Sequence, residues 1–82
     1  MRTRTARNQG RPEMDRLIQA IAAQRIERGV SQRALSGMLG VHPLTIARFE
    51  RGERSLDVVE LMDIARALDI DPVALFKAGL GE

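Results

Sequence analysis

Apolar residues recur at three- and four-residue spacing along most of the chain, and no segment alternates with a period of two. The first stripe is Met14, Leu17, Ile18, Ile21, Ala22 and Ile26. Pro12 suits the first turn of a helix, and Glu13 and Asp15 follow where carboxylates meet the positive end of the helix dipole. Gly29 is a natural left-handed stop. These signals predict a helix over 13–28. Ser31 is a good N-cap for a second helix over 32–39, with Ala34, Leu35, Met38 and Leu39 apolar and Gly40 closing it. Gly37 inside it costs about 1 kcal/mol relative to alanine, which suggests close packing or an exposed position. A third helix is predicted over 43–51, with Pro43 in its first position and Gly52 at its end. Asp57 and Glu60, at capping-box spacing, open a fourth over 58–68. Asp71-Pro72 starts a fifth, with Val73, Leu75 and Phe76 apolar and Gly79 as its stop. Leu35, Val41, Ile46, Phe49 and Leu61 are the expected core. The reading is an all-α domain of five helices over 12–82. Residues 1–11 lack any apolar periodicity and are predicted to be a disordered basic arm.

Helices two and three are joined by only three residues, Gly40-Val41-His42. Two short helices with a glycine in a tight link form a helix-turn-helix, whose second helix projects from the body and fits a DNA major groove. The short link alone is a moderate signal, because such pairs are common in all-α proteins.

Residues 29–68 add detail. Ser31-Gln32 open helix two, Leu35-Ser36 follow, and Gly40-Val41 form the turn. Ile46 lies within helix three, Glu50-Arg51-Gly52 end it, and Ala65 to Leu68 close helix four. In these positions the chain closely resembles the Cro and lambda-repressor-like helix-turn-helix family, also called XRE, over about residues 14–78. The resemblance implies a five-helix lambda-repressor-like fold and a sequence-specific regulator of double-stranded DNA. It implies that helix three enters the major groove and that Pro43, Leu44, Ala47 and Arg48 read base edges. It gives Gln32 a phosphate contact and makes Arg25 and Glu50 a structural ion pair. It also implies a homodimer on an inverted repeat with half-sites about 10 bp apart, with repression by occupancy as the simplest mechanism.

The chain departs from the family at the reading positions. Polar side chains are common there, whereas Pro43 and Leu44 cannot donate to a base. Leu44 can meet a thymine methyl group, and Arg48 is the one strong hydrogen-bonding reader, with guanine as its preferred target. Base preference is then either modest or leans on DNA shape. Ser36 replaces the commoner alanine, with a hydroxyl able to bond back to its own helix. Asp69 stands where the family favours glycine, and aspartate tolerates the left-handed conformation better than most residues.

Charge sharpens this reading. The net charge is +2, from 13 basic and 11 acidic residues, and 12 of the basic residues are arginine. Residues 1–11 carry four arginines and no acid, and residues 12–54 carry seven arginines against five acids. Residues 55–82 carry two basic groups against six acidic ones. A basic half and an acidic half present different faces to an anion. Arginine grips phosphate bidentately, so Arg33, Arg51 and Arg54, with His42 and Thr45, join Gln32 as candidate phosphate contacts. Pairing of Arg51 and Arg54 with Glu50, Glu53 or Asp57 is the alternative. The arm over 1–11 either lies in a minor groove or adds only attraction.

Other classes find little support. There is no cysteine and one histidine, so thiol chemistry, disulfides, a multi-histidine metal site and a histidine dyad have no basis, and no cofactor is expected. No run approaches the ~20 apolar residues of a membrane span, and no apolar run follows the first arginines as in a secretory signal. The expected location is the cytoplasm, on bacterial or phage DNA. The expected partners are double-stranded DNA and a second copy, the latter through the acidic C-terminal part with Leu75, Phe76 and Leu80. Two other readings remain open: an antitoxin-like partner of a toxin, and a protein-interaction module that has lost DNA binding, which the apolar pair Pro43-Leu44 favours.

Overall fold

The computed structural model describes residues 10–82. Five helices follow in order: α1 (Pro12–Glu27), α2 (Gln32–Met38), α3 (Thr45–Glu50), α4 (Val58–Leu68) and α5 (Pro72–Leu80). The described residues contain no strand. Of the arm expected over 1–11, only Gly10 and Arg11 fall within the described part.

Local chemistry sets most helix ends. Pro12 stands in the first turn of α1. The Glu13 carboxyl is held below the usual carboxylate range, first by a backbone N–H of that turn and then by the Arg11 charge. The Ser31 hydroxyl accepts the Ala34 N–H at 2.9 Å and caps α2. At α4 the capping box is complete: Asp57 accepts the Glu60 N–H at 2.7 Å, and Glu60 accepts the Asp57 N–H at 3.1 Å. Asp69 ends α4 in the left-handed conformation, with φ 55°. Asp71 accepts the Val73 N–H at 2.9 Å and starts α5.

Two expectations change. Helix α3 starts at Thr45, not at Pro43. The Thr45 N–H bonds to the His42 carbonyl at 2.9 Å, and Leu44 sits at φ −93°, ψ 0°. Those are the marks of a type I turn, in which proline favours the second position. Pro43 therefore serves the turn and not the helix. Helix α5 runs through Gly79 and stops at Gly81, whose φ is 87°. Gly79 marks a crossing: a Cβ there would stand 3.6 Å from the Glu13 carbonyl oxygen and 3.7 Å from Leu17 Cβ. Gly37, by contrast, faces open space.

The core joins all five helices. Ile21, Leu35, Ile46, Phe49, Leu61, Ile64, Ala65, Leu68 and Leu75 are buried together. Val41, expected there, is 37% exposed. Its N–H returns to the Ser36 carbonyl at 3.1 Å and the Gly40 N–H to the Gly37 carbonyl at 3.1 Å, so it closes the helix end from outside. Ile26 is also exposed, because the buried stripe of α1 passes from Ile21 to Arg25. Leu75 is core, whereas Phe76 and Leu80 are exposed. The C-terminal apolar surface thus consists of Val73, Phe76 and Leu80, and Leu75 drops out of it. No helix among the described residues is long and apolar enough to cross a membrane.

Candidate nucleic-acid interface

The helix-turn-helix is locked from within. Leu35 and Phe49 are fully buried and Ile46 nearly so. Ser36, also fully buried, uses its hydroxyl between helices: Oγ accepts the Ile46 N–H at 3.2 Å. That N–H lies in the first turn of α3, where no intrahelical acceptor exists. The hydroxyl expected to bond back to its own helix thus pins α3 to α2. Such a bond fixes the angle at which α3 leaves the body.

The far end of α3 is held by charge. Arg25 donates from Nε to Glu50 Oε2 at 2.7 Å and from Nη2 to Oε1 at 3.0 Å. Its Nη1 donates to the Val30 carbonyl at 2.7 Å. Both side chains are only 11% exposed. Gln32 joins them, donating from Nε2 to Glu50 Oε1 at 2.8 Å. The knot connects α1, the α1–α2 turn, the start of α2 and the end of α3.

With Ile46, Phe49 and Glu50 turned inward, helical spacing puts Leu44, Arg48 and Arg51 on the opposite side of α3. Leu44 is 45% exposed. Arg48 and Arg33 are exposed and make no ion pair among the described residues. Ala47 is 9% exposed and offers little area to a base edge. Thr45 is half-buried, lining a cleft with Val41, Arg54 and Leu56. The His42 ring accepts the Leu44 N–H at Nδ1, 3.1 Å away. A neutral ring that accepts at Nδ1 carries its proton at Nε2, which is left as a donor.

The other two candidate arginines, Arg51 and Arg54, are engaged. Arg51 donates to both Glu53 oxygens at 3.0 and 3.1 Å. That bond holds the Glu53 carboxyl below its usual range and raises the Arg51 guanidinium. Arg54 pairs with Glu60, not with Glu50, Glu53 or Asp57, and also donates to the Ser55 carbonyl. Glu60 therefore serves the α4 cap and Arg54 together. Its capping position is legible in the sequence; its second bond is not, because it depends on how the α3–α4 loop folds back. No metal-binding cluster of His, Asp or Glu occurs among the described residues.

Comparison with known proteins agrees with this geometry. A family model described as Helix-turn-helix matches residues 21–75. No curated protein matches the sequence. The restriction-modification controller protein C.AhdI from Aeromonas hydrophila is 31% identical. The match covers 78% of this chain and 97% of that one, with a TM-score of 0.72. An XRE-family like protein from Pseudomonas syringae pv. tomato is 30% identical over 84% of each chain, with a TM-score of 0.77. The clp gene regulator ClgR from C. glutamicum shares the fold at 23% identity, covering 84% of this chain and 90% of that one, with a TM-score of 0.75.

Proposed function

The chain belongs to the XRE family of helix-turn-helix, DNA-binding transcriptional regulators, and on that premise we propose that it is a repressor that binds an inverted repeat as a homodimer. Helix α3 lies in the major groove. Arg48 donates to a guanine edge and Leu44 packs on a thymine methyl group. Gln32, Arg33, His42 and Arg51 hold phosphates and set the register. The observation that carries this reading is the two-ended anchoring of α3: Ser36 at its start and Arg25 at its end leave Leu44 and Arg48 facing outward.

Three assignments are narrower than the sequence alone implied. Ala47 has too little exposed area for a leading role. Arg54 contacts phosphate only by leaving Glu60. Pro43 shapes the turn before α3. The second copy docks through Val73, Phe76 and Leu80 of α5, which together leave an apolar surface open of the kind that marks an interface.

A salt titration on genomic fragments tests the proposal. Affinity falls steeply as salt rises, while one site keeps its preference over competitor DNA. Equal binding to all fragments at every salt concentration contradicts it. Sedimentation of Phe76→Glu against the unchanged protein tests the dimer, which the substitution should dissociate.

A further inference from the structure

We propose that Glu50 is a positioning residue for DNA binding, whose carboxylate aims the Gln32 amide at a phosphate. The inference rests on the reading of Gln32 as a phosphate contact and adds what makes that contact effective. Both Glu50 oxygens accept hydrogen bonds from Arg25, so the carboxylate meets Gln32 as an acceptor. The Gln32 side chain must therefore turn its nitrogen, not its oxygen, toward Glu50, as the 2.8 Å bond from Nε2 records. An amide nitrogen has two hydrogens. One goes to Glu50 and the other remains for a second acceptor. A neutral amide can bridge two anions in this way, because each oxygen receives its own hydrogen.

The bond also limits motion before DNA arrives. A glutamine side chain loses rotamer freedom when it is immobilised on binding. Here Gln32 is already held, half-buried, in a chain of bonds that runs to Arg25 and the Val30 carbonyl. Arg25 has no hydrogen bond to Gln32. Its influence on that amide passes through Glu50.

The test uses the full chain and a duplex selected from a random pool, with single methylphosphonates placed along its backbone. In the unchanged protein, several positions per half-site weaken binding, and Gln32→Ala removes the sensitivity at one of them. Persistence of the full profile in Gln32→Ala overturns the phosphate reading itself. Glu50→Asp draws the carboxylate back by one methylene. It should bind about 3- to 10-fold more weakly, the range expected for an immobilised side chain set free, and should lose sensitivity at the same position. If Gln32→Ala silences that position and a folded Glu50→Asp does not, positioning by Glu50 is wrong while the phosphate contact stands. If Glu50→Asp does not fold, side-chain ¹⁵N relaxation of the free, unchanged protein decides. The Gln32 amide should be rigid beside that of exposed Gln19, and equal mobility overturns the proposal.

Discussion

The buried hydroxyl of Ser36 accepts the backbone N–H of Ile46 at 3.2 Å, one hydrogen bond linking α2 to the first turn of α3. Replacing Ser36 with alanine removes the acceptor and leaves a buried donor unpaired. The expected loss is about 1–3 kcal/mol, read as a shift in the midpoint of urea unfolding. An unchanged midpoint would mean that water or a shifted backbone takes over the bond.

The Arg25–Glu50 pair makes a second prediction. Arg25→Met leaves the Glu50 carboxylate with little solvent and without its guanidinium, a loss of about 3–5 kcal/mol. Arg25→Met combined with Glu50→Leu removes both charges and should recover much of that loss, because neither ion then lacks its partner. The recovered protein should still bind DNA weakly, with Gln32 no longer held. A double variant no more stable than Arg25→Met would show that the cavity, not the stranded charge, dominates.

Arg51 is claimed by Glu53 in the free protein. The bond holds the Glu53 carboxyl low. The pair is therefore intact at neutral pH and is lost only as the pH falls through the lowered folded value. Both groups are solvent-exposed, so stability should barely respond. DNA binding should respond: Arg51→Ala, which removes the phosphate contact, should weaken the complex and flatten the dependence of log affinity on log salt by roughly 0.9. Identical slopes for the two proteins would place Arg51 away from the DNA backbone.

Arg48 is an exposed side chain on the outward side of α3 without an ion pair among the described residues. Arg48→Ala should cost about 1–3 kcal/mol on the preferred site and relax preference at one base pair. Equal weakening on every sequence would make Arg48 a phosphate contact.

The fold was legible to the extent that its signals are local. Ser31, the Asp57–Glu60 capping box and Asp71 mark helix starts through bonds to residues two or three positions away. Left-handed Asp69 follows from the same short-range chemistry. The misreadings come from elsewhere. Pro43 fits both a helix start and a type I turn, and the His42–Leu44 bond favours the turn. Gly79 signals a stop, yet it lies within α5 because Leu17 and the Glu13 carbonyl crowd that face. Val41 and Ile26 are apolar at plausible spacing, but a helix-closing bond and the buried guanidinium of Arg25 occupy the inward places.

The site was legible in part, for the same reason. Arg25 and Glu50 meet across 25 residues, and the family pattern pointed to them. The link from Glu50 to Gln32, the Ser36–Ile46 bond and the capture of Arg54 by Glu60 depend on where three elements converge. No spacing rule encodes that convergence.

The most direct test of the central claim is selection of bound sequences from a random duplex pool, repeated at two salt concentrations. One inverted repeat should be enriched, with half-site centres about 10 bp apart and a guanine in each half-site whose preference disappears in Arg48→Ala. A pool that stays random at both salt concentrations would contradict it.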